Sequence, residues 1–465
     1  MSCATHFDLS GDRITVSNDA ARLAWNDTLE ALMAHAAATP EHLARTLAAD
    51  PDFALAYAAK GLMLLSLARA ELAAPARDCL DKARASAAQR PVTRREVMVI
   101  EALALWLDDA PRRVAERLEA ILLAHPFDVL ALKLSHGLRF MLGDQAQMLA
   151  TLNRFAPGFG ESHPLAGFVH GCHAFALEER GFYAQAEHAG RRAVALSPRD
   201  AWGRHAVAHV LEMTGRVDEG IAWLGDGRPI AHANNLRFHI FWHLALFRLE
   251  RGDTDEVLRL YDDEIRAEQT DDYRDIANGA SLLARLDYAG VDVGDRWEEL
   301  AAKAEGRIHD GRLVFADLHY ALSLLGAGQA DGAEAIARGL IEDAKLHPSS
   351  ERREAARNGA LAAFGLIAFH EGDHDEAARL LGAARSGLLA IGGSHAQRDL
   401  FEQAYAESLI RSGQHDRAAQ ILGERLTRRG GANLFAARRL AQLRHRGAGR
   451  LAALAIASTP LAIAH

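Results

Sequence analysis

PLAGFVHGCHAFALEERGFYAQAEHAGRRAVALSPRDAWGRHAVAHVLEMTG, residues 164–215, contains one full structural period and the start of the next. Pro164 is answered by Pro198 and Gly181 by Gly215, each 34 residues on. Apolar residues recur at helical spacing on both sides of Gly181, so the unit reads as helix, turn, helix. A hairpin this small cannot bury its own apolar face. It must stack on its neighbours, and stacked hairpins curve into a superhelix with a concave side.

The same signals extend outward in both directions. Turns are expected at Gly143-Asp144, Gly252-Asp253, Gly328, Gly372-Asp373 and Gly413. Openers are expected at Asp50-Pro51, Arg90-Pro91 and His125-Pro126, each proline taking the first helical position, where its missing N–H costs nothing. The 76 residues from Gly252 to Gly328 leave room for two units, the weaker one around Gly290 to Trp297. Intervals drift upward from 34, so the array is degenerate. The fold predicted is all-α: a tetratricopeptide-like superhelix, a right-handed α-solenoid of about ten repeats. It divides into a capping segment over 1–45, the repeat array over 46–430, and a capping helix with an apolar tail over 431–465.

Of the 465 residues 49% are hydrophobic and 25% charged, an ordinary mixture for a water-soluble chain. A net charge of -9 argues against sequence-independent nucleic-acid binding, so no nucleic-acid partner is expected. Eight arginines between Arg425 and Arg450 run against that balance. They read as a solvated helix face, with an acidic partner as the alternative. Cys3, Cys79 and Cys172 form no disulfide frame, which suits a reducing compartment. The first residues do not read as a secretory signal. The tail from Leu451 to His465 is too short to span a bilayer and is expected to dock on the last repeat. A cytoplasmic protein without membrane attachment is expected.

Histidines number 23, and two of the predicted helices carry them four apart: His205/His209 in HAVAH and His239/His243 in HIFWH. That spacing sets both rings of a pair on one helical face, within reach of one metal ion or one anion. Glu212 shares the His205 face. Chance placement gives about one such pair and three occur, the third being His370/His374, so the excess is modest. Counted from their turn glycines, the four rings fall within an arc of about 100° on the first helices of adjacent units, facing the concave wall. Aligned on Trp202 instead, His205 and His209 fall between helices. Both registers stay open. The 236–247 helix is apolar nearly all round, so His239 and His243 need a partner there, and a core role is the alternative to a ligand role. His136, Asp317 and His319 lie at similar depth, whereas His170 and His173 fall on a different face. Arg398 stands in a first turn where it could reach a carboxylate or phosphate. Ser394 reads as a helix cap boxed with Gln397 rather than as a nucleophile.

Six strings carry a family likeness: PVTRREVMVIEA (91–102), LALKLSHGLRFMLG (130–143), DAWGRHAVAHVLEM (200–213), HIFWHLALFRLERGD (239–253), FADLHYALSLLG (315–326) and GGSHAQRDLFEQ (392–403). In this order they resemble the tetratricopeptide repeat protein 38 family across nearly the whole chain. The resemblance implies a helical repeat fold and a cytosolic protein, and it carries no established reaction. The candidate histidines, Glu212, Asp317 and Arg398 fall inside these strings.

Two functions follow. The first is a binding protein whose concave interior holds a His-rich polar pocket for a small anionic ligand or a peptide, contacted by His136, Asp317, His319 and Arg398. The second is an enzyme, a hydrolase or oxidoreductase, in which His205, His209, Glu212, His239 and His243 hold a divalent metal or act as general acid and base, with Asp317 orienting His319. The four paired histidines are its metal set, suited to zinc, iron or manganese. A homo-oligomer formed through the outer faces is a third use.

Overall fold

Every expected turn glycine takes the left-handed conformation that lets one helix end and the next begin. Gly143, Gly181, Gly215, Gly252, Gly328, Gly372 and Gly413 have φ between 67° and 85°, and Gly290 joins them at 78°, marking the weaker unit. The computed structural model describes residues 6–225, 228–431 and 433–457, with side chains described as far as 445. Cys3 and residues 458–465 lie outside the described residues, as do the side chains on which the expected docking of the 451–465 tail depends. Among those described, 23 α-helices pair in succession, from Asp19–Met33 with Thr39–Ala49 to His395–Arg411 with His415–Arg428, leaving Leu434–Ala457 as a last single helix. The fold is an all-α superhelix of tetratricopeptide type. No described helix is long and apolar enough to cross a membrane.

The opening prolines act differently from expectation. Pro51, Pro126, Pro164 and Pro198 precede their helices, each as the second residue of a turn. These turns close from Phe53 N–H to Asp50, Asp128 N–H to His125, Ala166 N–H to His163 and Asp200 N–H to Ser197. The fixed φ of proline suits that turn position as well as it suits a first helical residue. Pro40 and Pro111, by contrast, sit at the first or second position of their helices. The boundary drawn at residue 45 falls within the Thr39–Ala49 helix, and a two-stranded ladder of His6–Phe7 on Arg13–Ile14 precedes the first helix.

First helices of successive hairpins pack side by side: Ala166–Glu179 on Ala201–Met213, then Leu236–Arg251, Tyr273–Ala289 and Val314–Gly326. Two apolar cores result, and the Ala201–Met213 helix belongs to both. Val207, Ala208 and Leu211 enter one core, while Ala206 and Val210 enter the other. The superhelix then winds back on itself. The His395–Arg411 helix reaches Tyr273–Ala289, and the last helix reaches Leu236–Arg251. The 385–393 segment lies across the end of the Val129–Met141 helix so closely that a Cβ on Gly143 would land on the Leu389 carbonyl oxygen. Gly143→Ala is therefore expected to cost about 3 kcal/mol, combining left-handed strain with overpacking. Gly413→Ala, at φ 78° with open space around it, should cost only about 1 kcal/mol. Urea midpoints compare the two.

Candidate functional site

Winding the chain shut turns the concave side into an interior, and the paired histidines lie inside it. His205 and His209 share one face of their helix with ring centroids 4.5 Å apart, and His239 and His243 do the same at 4.8 Å. The two helices are neighbours, so the pairs meet: His205 is 4.9 Å from His239 and 5.1 Å from His243, and His209 is 4.4 Å from His243. His209 and His243 are fully buried and His205 is 2% exposed. Phe175 stacks on the His205 ring and Trp242 on that of His239. The rings lie between helices, as the Trp202 alignment implies. They do not face an open groove.

Three of the four rings are held from behind. Asn278 Oδ1 lies 2.7 Å from His239 Nδ1, Glu212 Oε2 3.1 Å from His243 Nδ1, and Glu178 Oε2 3.4 Å from His209 Nδ1. With Nδ1 hydrogen-bonded outward on His239 and His243, and in ion-pair contact without a hydrogen bond on His209, the other nitrogens turn toward the shared space. His209 Nε2 meets His205 Nε2 at 2.9 Å, while His243 Nε2 and His205 Nδ1 are buried with no hydrogen-bond partner. One nitrogen from each of the four lies within 4.8 Å of all the others. Four imidazoles on a tetrahedral ion at ~2.1 Å would set their nitrogens ~3.4 Å apart, so small side-chain rotations close the set.

Burial in an apolar surround disfavours the charged ring. It drives His205 and His239 well below the ordinary histidine value and His243 down to about 4, with neighbouring rings adding to the effect. These three are neutral near pH 7 and offer lone pairs. On His209 burial is opposed and overcome by the Glu178 carboxylate, so its value rises. Burial would likewise raise Glu212, but His243 and Arg429 hold it down to about 2.

Other candidates stand apart from the four. His136 packs edge-on against Phe175 and Trp202, both of which contact His205. It is buried with both nitrogens unpartnered. Asp317 does not orient His319. Two residues apart on a helix, they point to different sides. His319 Nδ1 is 2.7 Å from the Phe315 carbonyl oxygen, whereas Asp317 faces Arg352 at 3.6 Å. Burial pushes Asp317 up to about 7 despite Arg352. The folded state thus holds a proton the unfolded chain has released between pH 4 and 7, so this group lowers stability as pH rises through that window. Asp317→Asn should remove the loss, gaining up to about 4 kcal/mol at pH 8 and little at pH 4. Melting curves at the two pH values measure it. Arg398 faces no open groove: it donates to the Gly393 carbonyl and pairs with Glu179 at 3.3 Å. Ser394 caps its helix in a box with Gln397, as expected.

The run from Arg425 to Arg450 is not a uniformly solvated face. Arg425, Arg429 and Arg439 are buried, and they pair with Asp399, Glu212 with Asp399, and Glu407 respectively. Sequence reasoning also passed over Glu178, Glu179, Asn278 and Arg285. Repeat register held a signal for one of these: Glu178 stands three residues before Gly181 as Glu212 stands three before Gly215.

No family model matches the chain. Among solved structures it is similar to a human IFIT1 dimer with PPP-AAAA, at 15% identity and a TM-score of 0.40, covering 91% of this chain and 99% of that one. It is also similar to a human IFIT1 dimer with m7Gppp-AAAA, at 16% identity and a TM-score of 0.38, covering 91% and 100%. Likeness at this level bears on no ligand and no mechanism.

Proposed function

We propose that this protein is a helical-repeat metalloprotein of the cytoplasm, akin to the tetratricopeptide repeat protein 38 family. In this reading it holds one divalent transition-metal ion on His205, His209, His239 and His243 and admits a small anionic ligand to the enclosed interior. The observation that carries the reading is the pairing of inward-facing ring nitrogens with outward Nδ1 atoms held by Glu178, Glu212 and Asn278. A carboxylate or amide behind three of the four imidazoles fixes ring orientation and raises basicity, which is how metal-ligating histidines are usually supported. Imidazole nitrogens favour zinc, copper, nickel or ferrous iron over calcium or magnesium. A peptide laid along the surface could not touch three of the four rings, so a small ligand fits the interior better. Two of the strings that carry the family likeness, 200–213 and 239–253, contain the whole ligand set and Glu212.

Elemental analysis of protein purified without a polyhistidine tag tests the reading. About one equivalent of a transition metal is expected, retained in His136→Ala and His319→Ala and lost in His209→Ala and His243→Ala. Wild-type protein that carries no metal, and takes up neither zinc nor ferrous iron on titration, would overturn it.

A further inference from the structure

Behind Glu212, on the side away from the histidines, the closed interior contains a cavity of about 70 Å³. Arg285, Arg425, Arg429, Asp399, Glu212 and Gln403 line it, and exposed Arg438 stands at its rim. At roughly 30 Å³ per water, the volume suits two waters or one small oxyanion.

Buried charges are normally paired, because an uncompensated ion in a low-dielectric interior is costly. Three of the four buried guanidiniums on its wall obey this, Arg439 through Glu407 at 2.6 Å. Arg425 pairs with Asp399, and Arg429 lies 3.1 Å from Glu212 and 3.3 Å from Asp399. Arg285 does not. It is 4% exposed, and its nearest carboxylate is Asp399 at 4.0 Å, already claimed by Arg425 and Arg429. Arg285 donates instead to two backbone carbonyls, Ser281 at 2.9 Å and Ala396 at 2.8 Å, and lies over the Trp242 ring. Those contacts satisfy hydrogen bonds without neutralising charge. Glu250 also lines the cavity, but it makes no ion pair with Arg285: its carboxylate accepts from Leu434 N–H and from Asn433, and burial shifts its pKa upward. Burial and the two neighbouring arginines push Arg285 down to about 10, against Asp399 and Glu212, so it stays charged at neutral pH.

From this arrangement we infer that the cavity is an oxyanion site, in which Arg285, flanked by Arg425 and Arg429, binds a phosphate, sulfate or carboxylate group. Convergent guanidinium forks match such groups with paired charge-assisted hydrogen bonds. The inference deepens the reading of a small anionic ligand and rests on that part of it, but it needs no metal. Glu212 belongs to both sites, with one oxygen on His243 and the other on Arg429. Anion and metal affinities should therefore depend on each other, to the same factor in both directions.

The test is calorimetric and thermal-shift titration of the full chain with inorganic phosphate, sulfate and acetate in separate arms. Wild-type protein should bind at least one of the three and melt higher with it, the best arm separating tetrahedral from planar oxyanions. Arg285→Met should lose at least tenfold in affinity and yet melt close to wild type in anion-free buffer, since losing the hydrogen bonds to the Ser281 and Ala396 carbonyls is offset by removing a weakly paired buried charge. Arg285→Lys, which keeps charge without the fork, should fall between the two. His209→Ala/His243→Ala should still bind the anion. Absence of binding in all three arms, or equal binding by wild type and Arg285→Met, overturns the oxyanion site and leaves the metal reading untouched. Anion binding by a protein that takes up no metal supports this site and rejects the metal centre alone.

Discussion

Arg429→Ala is expected to lower stability by about 3–5 kcal/mol, the cost of stripping a buried ionic network of a shared cation. Its guanidinium joins two carboxylates from distant repeats, Glu212 and Asp399, at the point where the C-terminal hairpin closes the interior. Removing it leaves Asp399 with Arg425 and leaves Glu212 with His243. Arg428→Ala is the control, since Arg428 is half-exposed with its nearest acid, Glu402, at 3.5 Å. That change should stay within about 0.5 kcal/mol. Burial alone would raise Asp399, but Arg425 and Arg429 hold it far below the ordinary carboxylate value. Its charge therefore contributes stability that is present above pH ~4 and lost as the solution becomes more acidic. The gap between wild type and Arg429→Ala should narrow accordingly toward low pH. Urea midpoints at pH 7 and pH 2 measure both effects. Equal midpoints for the Arg429 and Arg428 variants would show that this network does not hold the superhelix shut.

Local pattern in the sequence carries the hairpins and stops short of their closure. Gly181 and Gly215 announce turns because a helix that ends and reverses needs a left-handed residue, a requirement met within a few positions. The histidine pairs were legible for a similar reason: four-residue spacing and equal depth are properties of two neighbouring helices. Which way the rings point was not legible, because the 209–243 approach depends on how far one repeat rotates against the next. Small rotations accumulate along a solenoid, and only their sum brings Glu179 to Arg398 or Glu212 to Arg429, more than 200 residues apart. Arginines 425 and 429 consequently read as solvent-facing. Asp317 and His319 failed as a pair on simpler grounds, since helix geometry separates residues two apart. Glu178 was within reach of sequence reasoning, for it repeats the position of Glu212 one period earlier.

Chelation should destabilise the protein through the four-histidine centre. A ligand bound only by the folded state stabilises it by RT ln(1 + [L]/Kd), about 4 kcal/mol when free metal exceeds Kd a thousandfold. Unfolding entropy of about 2.1 cal/mol/K per residue gives a 465-residue chain roughly 1 kcal/mol/K, so stripping the ion should lower Tm by about 4 °C. The apo protein would keep its fold, because Glu178, Glu212 and Asn278 already hold three of the rings and aromatic side chains pack around them. Returning zinc or ferrous iron should restore Tm, and the metal that does so at the lowest concentration identifies the preferred ion. His209→Ala/His243→Ala should show neither the fall nor the recovery. Glu178→Gln should keep the metal but bind it about 10–100-fold more weakly, the usual effect of disturbing a group behind a ligating histidine. A purely structural histidine cluster predicts otherwise: no response of wild type to chelator, and a lower Tm in the double variant whether or not metal is present. These two patterns do not overlap, so a single set of melting curves decides between a metal centre and a histidine-packed core.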